Sequence, residues 1–333
     1  KCQMSILVLI LVIGLCVDSV LGEYLIGGNL RTAAIHNRSR NFVAWDPALD
    51  SLWFGSTLLI NNNIYSIVFD ASRRYIFAGG EFDLPYTSPE TGFVTWKRGL
   101  AVLQFPGGQW QTLNGLEVTK QCGVNNCASV FVLSAYSVDS QTILYVGGDF
   151  NIVSGGFSTR NIAKCVYDGF TWSWSFADIS PGTDGPVLAF ARDSVLGRLY
   201  VGGNFSSAGG ISSRGVAFWD EKGSGWNSMV GLSGADGSFM VASLLVLAGN
   251  ASVPTQVLVG GTMTSPSALA VWDDQTWRGV ELAEPAGLVG VLGLARGPNG
   301  TALAAGFLGF GCAGSAAGGC SAPPWDPAGQ LGC

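Results

Sequence analysis

The sequence predicts an all-β fold, a β-propeller of about six four-stranded blades. Three observations predict it. A short phrase built on two glycines recurs along the chain, its copies 52, 68, 55 and 58 residues apart. Strand-length apolar runs flank each copy in a constant order. No amphipathic stretch of ten or more residues competes for a helix.

The phrase reads YLIGGNL at Tyr24–Leu30, YIFAGGEF at Tyr75–Phe82, LYVGGDF at Leu144–Phe150, LYVGGNF at Leu199–Phe205 and VLVGGTM at Val257–Met263. Its paired glycines are Gly27–Gly28, Gly79–Gly80, Gly147–Gly148, Gly202–Gly203 and Gly260–Gly261. A decayed copy, ALAAGFL, lies at Ala302–Leu308. Periods near 50 belong to kelch-type propellers and not to helical solenoids.

Each unit reads as four strands. The first is an apolar run before the phrase: Ile64–Asp70, Val130–Ser137, Val187–Asp193, Ser243–Gly249 and Val291–Gly297. The second ends in the diglycine. The third ends in an aromatic residue and Asp, as in FVAWD (Phe42–Asp46), IAKCVYD (Ile162–Asp168), GVAFWD (Gly215–Asp220) and LAVWD (Leu269–Asp273), with Leu100–Phe105 as the variant. The fourth follows a turn and carries a Trp: Trp53, Trp110, Trp172, Trp226 or Trp277. Residues 1–22 read as a signal peptide and 23–333 as the propeller, with repeats near 24–58, 64–113, 128–177, 187–230, 241–280 and 288–333, the last degenerate.

One such sheet cannot bury both of its faces, whereas radial stacking covers them. The diglycine strand, at the inner edge or next to it, is then buried on both faces, so its apolar run is continuous. The glycines serve either a backbone turn that other residues resist or a close approach by a neighbour. The Asp is placed to accept backbone N–H groups in the turn that follows. The Trp fills the wedge between sheets.

The fuller pattern is clearest at Val146–Gly169 and Val201–Glu221, which share VGG-[DN]-F, a later GG, and [ST]-R-[NG] before the third strand. It resembles the kelch-type repeat of galactose-oxidase-like propellers. It looks closer still to the VGGxF-repeat propellers of secreted or cell-surface proteins, such as cortical-marker, mastigoneme-like and many bacterial surface proteins. The resemblance covers Glu23 to about Val280 and implies fold far more than function. A galactose-oxidase-type copper site needs two His ligands, and the chain has one His. Tyr167–Trp172 and Asp273–Trp277 approach a sialidase-type Asp box without its spacing.

Composition narrows the rest. Charged residues are 12% of the 333, the net charge is −6, and no Lys/Arg run occurs, which argues against nucleic-acid binding. The 48% hydrophobic content and eleven Trp argue against disorder despite 48 Gly. Ile6–Val17 is apolar, Asp18 interrupts it, and Gly22 offers a small residue for cleavage. A bilayer anchor needs about 20 apolar residues. The first residue is not Met, and a first blade opening at Glu23 lacks its own first strand. The last unit supplies a closing strand irregularly or the sequence is incomplete at its C-terminus, and the latter is the expectation. Membrane attachment would then come only through an anchor beyond Cys333.

Six of the eight Cys lie beyond the leader, as expected for disulfides in a secreted chain. Cys122 pairs with Cys127 across GVNN, and Cys312 with Cys320 across AGSAAGG, in the simplest reading. Cys165 reads as a buried free thiol. A zinc site at Cys122 and Cys127 is the rival, and lacks a second ligand pair. Sequons mark Asn37, Asn250 and Asn299 as glycosylation candidates, while Asn204 falls within the repeated phrase and reads as enclosed.

Asn29, Glu81, Asp149, Asn204 and Thr262 follow the glycines and would gather on one face. Their recurrence favours local backbone roles over acid–base chemistry. His36 reads as a solvated loop residue, and the repeated Arg160 and Arg214, with Arg40 as a third, as arginines bridging loops or carbonyls on one face. The differences between repeats are more informative. Unit two inserts Glu81–Gly99 and is followed by the loop Glu117–Ser129. Tyr86, Trp96, Lys97 and Arg98 are the candidate binding residues there; a tolerated surface insertion is the competing reading. The sequence therefore points to a secreted or cell-surface module that binds protein or glycan ligands through loops, without catalysis, metal or cofactor. The alternative is a secreted carbohydrate-active propeller enzyme using carboxylates at the channel mouth.

Overall fold

The computed structural model describes residues 16–20, 23–27, 42–46, 51–53, 63–104 except 71 and 73, 109–113, 116–154, 157–168, 173–234, 239–249 except 248, 255–280, 288–296 and 302–308. Within them the chain is a series of antiparallel meanders. β1 (Cys16–Val20), β2 (Glu23–Gly27), β3 (Phe42–Asp46) and β4 (Ser51–Trp53) form the first sheet. β5 (Ile64–Asp70), β6 (Tyr75–Thr87) and β7 (Val94–Gln104) form the second. A Val102–Gln111 bridge stands in for its fourth strand.

A small hairpin, β8 (Gln121–Cys122) and β9 (Asn125–Asn126), precedes the third sheet. That sheet is β10 (Ser129–Val138), β11 (Gln141–Ser154), β12 (Phe157–Asp168) and β13 (Ser173–Ala177). The fourth is β14 (Val187–Asp193), β15 (Arg198–Gly203), β18 (Val216–Asp220) and β19 (Gly225–Ser228), with a hairpin of β16 (Ser207–Ala208) and β17 (Ile211–Ser212) inserted. The fifth is β20 (Val241–Leu247), β21 (Gln256–Gly261), β22 (Leu269–Trp272) and β23 (Trp277–Gly279). β24 (Leu288–Arg296) pairs with β25 (Ala302–Leu308).

The first strand of each sheet lies against the first strand of the next: β1 on β5, β5 on β10, β10 on β14, β14 on β20, and β20 on β24. This succession fits the blades of a propeller, with those strands at the inner edge. The diglycine strands therefore stand second, next to the inner edge. Cys16–Val20 occupies the first-strand position of sheet one, which the sequence reading left vacant.

The core lies between consecutive sheets. Leu144 and Val146 of β11 pack toward sheet two with Phe77 and Leu100. Ile143 and Tyr145 of the same strand pack toward sheet four with Val187, Leu199 and Val201. Tyr200 continues into the next layer with Val241 and Val259. Both faces of a diglycine strand are thus covered, which explains its unbroken apolar run.

The glycines act by close approach. A Cβ on Gly79, Gly147, Gly202 or Gly260 would stand 2.5–2.7 Å from a valine of the next sheet's first strand: Val130, Val187, Val241 and Val291 respectively. A Cβ on Gly80, Gly148, Gly203 or Gly261 would stand 2.0–2.2 Å from a backbone oxygen at the start of its own sheet. Opposite them, β5, β10, β14 and β20 each carry a one-residue register shift.

Polar groups cross between sheets as well. Asp70 is buried and accepts Ser137 Oγ at 2.5 Å, Thr142 Oγ1 at 2.9 Å and Ser72 Oγ at 2.6 Å. Burial alone would raise its carboxyl; these hydrogen bonds outweigh burial and hold it below the usual range. Arg192 grips Glu221 through Nε–Oε1 (3.0 Å) and Nη2–Oε2 (2.8 Å), and its guanidinium lies 3.4 Å from the Tyr136 ring centroid. Burial, then the Glu221 carboxylate, pushes the Tyr136 phenol up to about 12.

Candidate functional site

The two long insertions of the second repeat converge. β6 and β7 continue past the diglycine as a two-stranded ribbon, pairing Asp83–Thr87 with Val94–Arg98. Its end is closed by Ser88 N donating to Phe93 O (3.0 Å) and Gly92 N to Ser88 O (2.8 Å). Opposite stands the loop 117–129, stapled by the Cys122–Cys127 disulfide, with Cα atoms 5.8 Å apart. Asn126 organises this loop from within. Its Oδ1 accepts Lys120 N (2.9 Å) and Ala128 N (3.1 Å), and its Nδ2 donates to Val118 O (3.0 Å).

The loop is also tied to sheet three. Asn151 N donates to Thr119 O (2.6 Å), Thr119 Oγ1 donates to Asn151 O (3.0 Å), and Lys120 pairs with Asp149. Between ribbon and loop lies a cleft of about 670 Å³. Trp96, Arg98 and Asp83 line one wall; Glu117, Lys120 and Val124 line the other. Gln121, Asn125 and Asn126 add carboxamides.

Both insertions also expose large apolar side chains, two of which, Trp96 and Val124, line the cleft. Phe93 is 74% exposed, Val94 61%, Trp96 63% and Val124 99%. All four come from the two insertions. Isolated exposed apolar residues need no explanation, whereas a cluster marks a contact surface. The charges, by contrast, are matched within the site: Arg98 with Asp83 (3.2 Å), Lys97 with Glu117 (3.4 Å) and Lys120 with Asp149.

The sequence candidates divide. Trp96 projects at the rim. Tyr86 is half-buried with the Lys97 ammonium 5.9 Å from its ring centroid. Arg98 is half-buried in the ribbon wall, and its Nε donates to Ala128 O at 2.8 Å. It precedes Gly99 (φ 88°), as Arg160 precedes Asn161 (φ 64°) and Arg214 precedes Gly215 (φ 72°). Arg214 likewise donates to a carbonyl of the following linker, Gly234 O, at 3.2 Å. Arg98 is therefore a repeat position, a fact hidden by the length of the inserted ribbon. Phe93, Val94, Glu117, Lys120 and Val124 were not singled out. An apolar residue at the tip of CGVNNC was the available signal for Val124.

Among the other candidates, Glu81 accepts Ser129 Oγ at 2.7 Å and Thr262 Oγ1 accepts Met240 N at 3.0 Å, so these carry inter-strand bonds. Asn204 is exposed, against the enclosed setting expected for it. Trp110 and Trp226 are buried, and Trp277 is half-buried. In sheet three the buried fourth-strand Trp is Trp174, paired with Tyr167. Cys165 is a buried free thiol, and burial raises its pKa. Trp53 lies in β4 and Gly27 in β2. Trp172, Gly28, Asn29, His36, Arg40, Asn37, Asn250, Asn299, Cys312 and Cys320 lie outside the described residues. Among the described residues no group of three or more His, Cys, Asp or Glu side chains is placed to hold a metal ion.

Fold and cleft together define an all-β repeat scaffold with a cleft built from the insertions of one repeat. No family model matches the chain, and no curated protein matches it. Among solved structures it is similar to U3-55K (12% identity, TM-score 0.42, covering 76% of this chain and 59% of that one). It is also similar to the RRP9 WD40 repeats (12%, 0.41, 76% and 58%) and to a chain of the mitotic checkpoint complex (15%, 0.41, 87% and 83%). The chain thus spans less than two thirds of the first two.

Proposed function

We propose that this chain is a non-catalytic binding module of the β-propeller type, kelch-like in its repeat and displayed outside the cell, which takes a protein partner on the cleft of its second repeat. The observation that carries this reading is the exposure of Trp96 and Val124 on the cleft they both line, with exposed Val94 two residues from Trp96 on the same face of the ribbon. Exposed aromatic and aliphatic anchors around a concave, charge-matched floor are what protein interfaces use. The apolar weight of the surface favours a protein over a glycan. The cleft carboxylates Asp83 and Glu117 are each engaged by a cation, an arrangement that suits structure better than acid–base work. The Cys122–Cys127 disulfide supports an oxidising, extracellular setting. The VGG-[DN]-F pattern supports the kelch-like subtype.

The test compares the wild-type chain with a Trp96→Ala/Val124→Ser variant of unchanged melting temperature. Both are immobilised and exposed to the same extracellular extract. Loss of two central anchors should weaken retention of a specific protein by about tenfold or more. Equal retention by both chains would refute the reading.

A further inference from the structure

The direction of the ribbon's hydrogen bonds can be worked out strand by strand. In an antiparallel pair, opposed residues alternate between those bonded to each other and those whose N–H and C=O point away from the partner. Ser88 N donates to Phe93 O, so that pair is bonded. The register then runs Thr87–Val94, Tyr86–Thr95, Pro85–Trp96, Leu84–Lys97 and Asp83–Arg98. Alternation makes Val94, Trp96 and Arg98 the outward-pointing residues of β7. Two facts agree. Pro85, which has no N–H, falls at an outward position of β6. Val118 N donates to Arg98 O at 3.4 Å, from outside the ribbon.

The two edges are therefore unequal. On β6, Pro85 removes a donor from the middle of the edge, a device that blunts strand pairing. On β7 no proline intervenes. The chain's own backbone takes the first outward position, at Arg98, and then departs for Asn151. Among the described residues no backbone group bonds the next two outward positions, Trp96 and Val94.

We infer that this edge of β7, over Val94–Trp96, accepts an extended peptide segment of the protein partner as an added strand. The inference rests on the binding reading above and specifies how the partner is held. The segment is uncharged, because Arg98, Lys97, Lys120 and their acids are matched among themselves. It is apolar at alternate residues, because side chains on one side of such a strand meet Trp96 and Val124. Main-chain bonds supply register and side-chain contacts supply selectivity.

The experiment selects random twelve-residue peptides displayed on phage against the full chain, then measures synthetic copies of the enriched peptides by fluorescence anisotropy. Enriched peptides are expected to be uncharged, with apolar residues at every second position. Val94→Pro removes an outward N–H without touching the ribbon's own ladder, and should weaken binding about tenfold, while Val94→Ala stays within about threefold. N-methylation of the peptide at single residues should show the same alternation, with large losses at every second residue, and does not depend on any variant folding. Failure to enrich peptides, or binding indifferent to both Val94→Pro and N-methylation, would overturn the inference. Capture of a protein that depends on Trp96 and Val124 yet ignores Val94→Pro would overturn strand addition alone and leave the binding reading standing.

Discussion

Gly148→Ala should destabilise the chain by about 3 kcal/mol, lowering the melting temperature by roughly 4–5 °C. The reason is local and backbone in origin. A Cβ at this position would stand 2.0 Å from Ser129 O and 3.0 Å from Val130 Cα, and neither can move without shifting the start of β10. That start is where Ser129 also bonds Glu81 of the preceding sheet. Gly147→Ala should cost less, because the atoms it meets at 2.7 Å belong to the side chains of Phe190, Val132 and Val187. Gly293→Ala meets nothing within 4 Å and serves as the neutral control. Denaturant unfolding of the three variants measures the order. A Gly148→Ala chain as stable as Gly293→Ala would show that the diglycine is not a close-packing device.

Trp226→Ala should cost about 3–5 kcal/mol, the range for deleting a large buried aromatic. The indole closes the wedge between sheets three and four. Its Nε1 donates to Ile179 O (3.3 Å), its ring meets Trp219 edge-on at 5.6 Å, and Gly209 lies against its far side. Trp226→Phe keeps most of that packing and loses the bond to Ile179, for about 1–2 kcal/mol. Thermal and denaturant unfolding of the pair separates the packing contribution from the hydrogen bond. A loss below about 1 kcal/mol for Trp226→Ala would place the ring outside the load between sheets.

Much of the scaffold was legible because it repeats. The diglycine strands, the apolar runs before them and the turn-capping Asp each recur in sequence, so one physical reason accounts for several sites. Asp220 Oδ1 accepts the N–H groups of Lys222 and Gly223 at 2.9 and 3.0 Å, and Asp273 Oδ1 accepts Thr276 N at 2.9 Å, as the position after the aromatic suggested. Local ambiguity defeated finer detail. TWSW offers Trp172 and Trp174, and only strand register selects Trp174 opposite Tyr167.

The cleft was half legible. Both insertions stand out by their length, and Trp96 by its chemistry. That they face each other depends on Thr119 pairing with Asn151, a contact across 32 residues that no local pattern announces. The matched charges and the open edge of β7 follow from register, which composition does not encode. Cys16–Val20 shows the converse difficulty: a stretch ending an apolar leader-like run can also complete a strand.

The most direct measurement excises the ribbon's end. Replacing Pro85–Trp96 with Asn-Gly closes the Leu84–Lys97 pair with a two-residue hairpin turn and leaves the sheets intact. Unfolding and partner binding are then measured on the same preparation. If the second repeat carries recognition on a self-sufficient scaffold, the melting temperature stays within a few degrees of wild type while partner binding falls by about tenfold or more. Undiminished binding by the shortened chain would place recognition elsewhere on the molecule, and global unfolding would make the ribbon part of the scaffold.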